Sequence, residues 1–465
     1  ELFLNMSKKL FIRGTLLLTF SGLLSRLAGF FYRIFLSHTI GAQGLGIFQL
    51  TVPLQLLFMS LCASGIQTGI SRLTASAKAQ NHSHQKGDYF VCGAVFSVVL
   101  SVILACQLCF FGDFWAKEIL KEPETLGLLR LLAFSLPPAT LHVCINSYYF
   151  GIKKAGIPSA IQLLEQFSRI GGCYLIYWIL LSQNRPVTPL IAAGGNLIGE
   201  AVAAFLSLFL ISMHFHLNKY TFFCQSQKAG LLLKKFFNTL KKLFPISVPL
   251  TLNKVLLTVL AGIEVLLIPS RLRLSGLSRS DSLEIYGIFT GMALPLILFP
   301  STLTNSVSVM LLPSIAELQA LGCQKRIRYV IRRILGCCTV LGIGCMFLFF
   351  IMGQFLGIFL FHNTTAGICI QALSFVCPFL YLNTTLTSIL NGLGKSGLCL
   401  LYSSISICIR VAFVLLVIPL LGIQGYFCGL LLSEMLLTIL LLNADKRFKG
   451  DTNHGIRFHK KITNS

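Results

Sequence analysis

Gly151-Ile-Lys-Lys154-Ala-Gly156, with Arg169 thirteen residues after it, decides how this chain is read, because the pattern occurs twice. Gly392-Leu-Gly-Lys395-Ser-Gly397 stands the same distance ahead of Arg410, and the shared offset of 241 also brings Pro137 onto Pro378 and Ser147 onto Ser388. Further along, Gly195-x4-Glu200 recurs as Gly429-x4-Glu434. Charges inside apolar sequence are costly, so charges kept in register point to a duplicated unit. The chain reads as two copies of one membrane module, a construction that expects a binding site between the halves.

Composition agrees. Apolar residues make up 55% and charged residues only 11%, and mean hydropathy is +0.80, outside the range of soluble domains. A bilayer core takes about 20 apolar residues per helix. Windows of that length give twelve spans: 12–36, 47–71, 89–112, 127–150, 158–182, 188–213, 245–270, 285–312, 329–354, 368–391, 398–420 and 423–443. The alternation of an outer-membrane barrel is absent. The expected fold is an all-α integral membrane protein of about twelve transmembrane helices, in two pseudo-symmetric six-helix lobes around a central cleft. Its parts are an N-terminal lobe (7–213), a basic cytoplasmic connector with an interfacial helix (214–243), a C-terminal lobe (244–443) and a basic cytoplasmic tail (444–465).

A net charge of +23 invites a nucleic-acid partner, but its placement argues against one. With both termini inside, most of the 38 Lys and Arg residues fall in the inner segments, which is the positive-inside bias of short loops. The connector, with Lys228, Lys234, Lys235, Lys241 and Lys242 beside Phe236, Phe237 and Leu240, is expected to lie on anionic inner-leaflet lipid. The sixteen cysteines lie mostly within spans, where Cys behaves as a small apolar residue, and no metal site is expected. No cleavable leader is expected, since Met6-Ser-Lys-Lys9 runs straight into a long first span. Prolines within spans, among them Pro53 and Pro295 at comparable places in spans 2 and 8, should kink their helices.

Each charge at bilayer depth needs a partner or a wet cavity. Glu165 and Arg169 are one helical turn apart and can pair locally. The repeat sets Arg169 with Glu200 and Arg410 with Glu434, expected as structural ion pairs tying span 5 to span 6 and span 11 to span 12. Arg26 and Arg33 differ: they share a face of span 1, two turns apart, and that span holds no acid. Guanidiniums so placed are natural ligands for phosphate or pyrophosphate, which arginine grips bidentately. Lys254, beside Asn253 in span 7, is read as lying across the cleft from them. Glu264 is the candidate ligand for a coupling ion.

Ser25-Arg26-Leu-Ala-Gly-Phe-Phe-Tyr-Arg33-Ile-Phe-Leu-Ser-His-Thr-Ile-Gly41-Ala-Gln-Gly44-Leu-Gly46 closely resembles the first helix and loop of the stage V sporulation protein B group, oligosaccharide flippases related to the lipid II flippase. Ser64-Gly-Ile-Gln-Thr-Gly-Ile-Ser-Arg72 and Tyr286-Gly-Ile-Phe-Thr-Gly-Met-Ala-Leu-Pro295-Leu resemble it too. The resemblance implies the two-lobed fold of multidrug and toxin extrusion transporters. It implies movement of undecaprenyl-pyrophosphate-linked saccharides to the outer leaflet of the bacterial plasma membrane. Lipid II flippases carry essential arginines in the first helix, matching Arg26 and Arg33. They carry another in the eighth, where this chain has the neutral Phe289-Thr290-Gly291 and where Lys254 or Arg72 would substitute. Those relatives often have fourteen spans, the extra pair being associated with a groove for the lipid tail.

The competing reading on the same fold is a cation-coupled multidrug exporter. An exporter of organic cations calls for carboxylates in its cleft, yet away from their cytoplasmic ends the spans hold six basic residues against four acids, three of which are assigned to Arg169 and Arg410. A membrane glycosyltransferase or ligase would need an acid–histidine arrangement that the external loops do not offer. The expectation is a monomeric transporter without cofactor, driven by a monovalent cation or the membrane potential.

Overall fold

Gly41 decides where the first two spans part. The computed structural model describes residues 2–80, 83–217, 229–304, 324–393 and 395–462. Helix α1 (Leu2–Met59) runs through the first span and into the second, and is broken at Gly41, whose φ of 69° and ψ of 177° suit essentially glycine alone. A π-type turn at Ser60–Ser64, seven residues after Pro53, leads into α2 (Gly65–Ala79). Helices α3 (Ser83–Phe110), α4 (Leu126–Gly151), α5 (Gly156–Ser182) and α6 (Leu190–Leu217) follow. Helix α7 (Ala229–Leu274) joins the expected interfacial segment and span 7 into one continuous helix. Span 8 is broken into α8 (Arg279–Gly287), a π-type turn at Ile288–Ala293, and α9 (Leu294–Leu298) with Pro295 in its first turn. Then come α10 (Gln324–Phe361), α11 (Thr364–Ser374), α12 (Cys377–Gly392), α13 (Ser396–Leu416), α14 (Ile418–Leu421) and α15 (Ile423–Ile462).

Among the described residues, nine helical stretches are long and apolar enough to cross a membrane, and ten if α11 and α12 form one bent span. That bend is 57°, at Pro378, whose missing N–H suits the first turn of a helix and not its interior. The stretch Phe20–Lys78 holds two of the expected spans, and α5, with 27 residues, is a further helix. Every one of the twelve sequence windows is mostly helical, the eighth as far as residue 304, where its described part ends. Within the best apolar window of α10 only 17% of the residues are buried, with Val340, Phe347, Ile351, Phe355 and Phe359 exposed, as a surface solvated by lipid tails requires.

Contacts divide the chain into two units: Glu1–Leu266 with Leu283–Gly287, and Leu267–Ser282 with Ile288–Ser465. In the first, α3 packs on α4, α4 on α6 and α5 on α6. In the second, α10 packs on α11 and α12, α12 on α15 and α13 on α15. Third with fourth, fourth with sixth and fifth with sixth is therefore built twice, as the repeat requires. The first unit extends farther than the expected lobe 7–213. Its α2 meets α7 so closely that a Cβ on Gly65 would overlap the Ser247 carbonyl, and Ser60 Oγ lies 3.3 Å from Thr258 Oγ1. Asn253 and Lys254 accordingly share a unit with Arg26, where the sequence reading had put span 7 in the second lobe. Residues 218–228 of the connector and 463–465 of the tail lie outside the described residues.

Candidate functional site

The most concentrated chemistry in the first unit sits where α4, α5 and α6 meet. A Cβ on Gly195 would come 2.8 Å from the Arg169 carbonyl, and one on Gly199 3.0 Å from that of Glu165. These two glycines, four apart on one face of α6, let the α5 backbone approach and set Glu200 beside Arg169. Arg169 Nη2 pairs with Glu165 and lies 3.7 Å from Glu200 Oε1, while Nη1 lies 3.5 Å from Gln166 Oε1. His142, buried on α4, completes the cluster: Nδ1 is 3.2 Å from Glu200 Oε2 and Nε2 is 3.7 Å from Glu165 Oε2.

The second unit carries the counterpart. Arg410 Nη1 donates to Glu434 Oε1 at 2.9 Å, and Asn383 Nδ2 donates to Glu434 Oε2 at 2.7 Å. Thr438 Oγ1 donates to Asn383 Oδ1 at 2.8 Å. The offset of 241 that relates Arg169 to Arg410 also relates His142 to Asn383 and Glu165 to Ser406. The two clusters thus share an architecture but not the same charged groups. The second balances one guanidinium with one carboxylate. The first sets two carboxylates against one guanidinium, with His142 between the carboxylates.

The Arg169–Glu200 and Arg410–Glu434 pairings both join the helices that the repeat selected, but Arg169 is held first by Glu165. Sequence reasoning missed His142, Asn383 and Thr438. Its signal was present for the first two, since the repeat offset superposes them, but neither belongs to a residue type that repeats by identity. Donor atoms of His142, Glu165 and Glu200 lie within 4.8 Å of one another, a set that a small cation could share. In this arrangement the Arg169 guanidinium already occupies the cationic place.

Among the described residues, no ion pair joins the residues expected to meet substrate to this cluster. Arg26 is exposed and Arg33 half-buried on α1, and among the described residues neither has an acid partner. Arg72 on α2 and Asn253 and Lys254 on α7 are exposed. Glu264, expected as the coupling-ion ligand, is buried on α7 and already engaged in an interaction. Phe289, at the place where the relatives of the resemblance have an arginine, packs edge-on against Tyr426 at 5.1 Å between ring centroids, inside the second unit.

A family model described as polysaccharide biosynthesis protein matches residues 11–319, about two thirds of the chain. The chain belongs to this family. It is 24% identical over 445 residues to Stage V sporulation protein B of Bacillus subtilis (strain 168), covering 94% of this chain and 83% of that protein. It is 23% identical over 333 residues to the Lipid II flippase MurJ of the same organism, covering 67% of this chain and 58% of that one. Among solved structures, the inward-facing conformation of a multidrug resistance MATE family transporter of the MOP superfamily matches with a TM-score of 0.67. That match has 13% identity and covers 92% of this chain and 95% of that one. At that identity the likeness concerns the fold alone. This member of the polysaccharide biosynthesis family is a multi-pass membrane protein on the MATE-type fold.

Proposed function

We propose that the protein is a flippase for an undecaprenyl-pyrophosphate-linked saccharide, carrying it from the inner to the outer leaflet of the bacterial plasma membrane by alternating access, with both termini in the cytoplasm. The observation that carries the reading is a contrast among the arginines. Arg169 and Arg410 are each neutralised by a glutamate of their own unit. Arg26 and Arg33 have no acid partner among the described residues. A bare guanidinium within an apolar span is costly, and a pyrophosphate offers its planar fork paired anionic oxygens. Arg26 is assigned the pyrophosphate, Arg33 a second contact two turns along the same face, and Arg72, Asn253 and Lys254 supporting polar contacts. The likeness to Stage V sporulation protein B and to the Lipid II flippase MurJ supports this substrate class over organic cations.

Complementation of cells depleted of their lipid II flippase tests it. Arg26→Ala should remain as abundant as the wild-type protein and fail to rescue growth. Arg26→Lys should rescue in part, because it keeps the charge and loses the fork. Full rescue by Arg26→Ala would sink the assignment of the arginine. Failure of the wild-type protein to rescue, together with raised drug efflux, would instead favour the exporter.

A further inference from the structure

The beginning of α3 and the amphipathic first part of α7 line an open cavity of about 420 Å³, wholly within the first unit. That is many times the roughly 30 Å³ share of one water molecule, and so suits a whole headgroup better than a single ion. Its wall is cationic. Lys235 Nζ lies 3.0 Å from both carboxylate oxygens of the buried Asp88, so that pair is internally balanced. Lys234 and Lys242, both exposed, line the same cavity with no acid partner among the described residues. Three ammoniums against one carboxylate leave the wall at +2. The amides of Gln85 and Asn238 add further donors.

The surroundings indicate how a ligand would lie. On α7, Leu240 and Leu243 are buried, and Leu240 packs with Cys92 of α3, while Phe237 is exposed on the outer side. The helix therefore has one face against the protein and an apolar side chain free at the level where lysines begin. That is the pattern of a segment at the membrane surface, on the side that the charge bias places inside. Lysine, a flexible point charge with three donors, accepts a phosphate diester without demanding one orientation.

We propose that this cavity binds the phosphate headgroup of an anionic phospholipid of the inner leaflet, held by Lys234 and Lys242, with its tails alongside α3 and α7. The site is separate from Arg26 and stands whether or not the flipped saccharide is correctly identified.

Thermal unfolding of the full-length purified protein in detergent tests this, with phosphatidylglycerol, phosphatidylcholine or inorganic phosphate added. Phosphatidylglycerol should raise Tm in a saturable way, and phosphatidylcholine should not. In Lys234→Gln/Lys242→Gln the concentration needed should rise roughly 10- to 30-fold, the loss expected for two lysines at an anionic surface. Lys234→Arg/Lys242→Arg should keep the response, and Lys460→Gln/Lys461→Gln in the tail should leave it unchanged. In the wild-type protein the shift should shrink as salt is raised. Equal response to both lipids, or an unaltered response in the glutamine variant, would overturn the site. A shift of the same size with inorganic phosphate would overturn the lipid as its source.

Discussion

At the residue scale, each of the two polar clusters sets an arginine against a glutamate of its own unit. Glu434 accepts from Arg410 and from Asn383 at once, so Arg410→Ala strands a largely buried carboxylate on one amide. Removing one partner of a buried pair costs about 3–5 kcal/mol. Arg410→Ala should lower abundance in detergent-solubilised membranes, and Arg410→Ala/Glu434→Gln should recover much of it. Arg169→Ala should be the more damaging of the two, because it leaves Glu165 and Glu200 facing each other across His142 with no guanidinium between them. Loss of transport at full abundance in either variant would make that arginine a substrate residue. The sequence set Arg169 with Glu200 and Arg410 with Glu434 because each arginine and each glutamate recurs at the same distance from its own glycine motif. That Arg169 would turn first to Glu165 was not legible there, since both acids are within reach and only packing orders them.

At the element scale, helix approach is set by small residues. Gly199 lies where a side chain would strike the α5 backbone at Glu165, whereas Gly171 on α5 faces open space. Gly199→Leu should push α5 from α6, part Arg169 from Glu200 and cost about 1–3 kcal/mol, the usual range for overpacking. Gly171→Leu should be close to neutral, and measured Tm values for the two variants should separate clearly. Equal Tm values would mean that the approach of the helices does not depend on that glycine. Gly41 is a different case. Its positive φ is a backbone requirement, so the break between the first two spans is written into one residue. Kinks were expected at Pro53, through which α1 continues unbroken as far as Met59, and at Pro295, which stands in the first turn of α9. Their partner features, π-type turns at Ser60–Ser64 and Ile288–Ala293, were not, because an extra residue in a turn leaves no mark in hydropathy.

At the scale of the whole molecule, the proposed orientation rests on where the lysines and arginines fall. Glu122 is buried, so Glu124, exposed in the same loop, is the better reporter of the side it faces. Fusions of alkaline phosphatase after Glu124 and after Lys154 should be active and inactive respectively, placing the loop before α4 outside and the loop after it inside. Activity at both, or at neither, would overturn the proposed orientation.

The sequence by itself determined the class, the number of apolar windows, the duplication and the identity of the charged residues within spans. Each of these is local: hydropathy, spacing and charge are properties of a segment before it meets any other. Only the tertiary structure decided that α7 as far as Leu266 belongs with the first unit, that His142 joins Glu165 and Glu200, and that Asn383 holds Glu434. Those facts depend on helix faces meeting across large separations in the chain. In a membrane that choice is made by close packing at glycines and by the need of each buried polar group for a partner, and hydropathy cannot rank it because every span satisfies hydropathy equally.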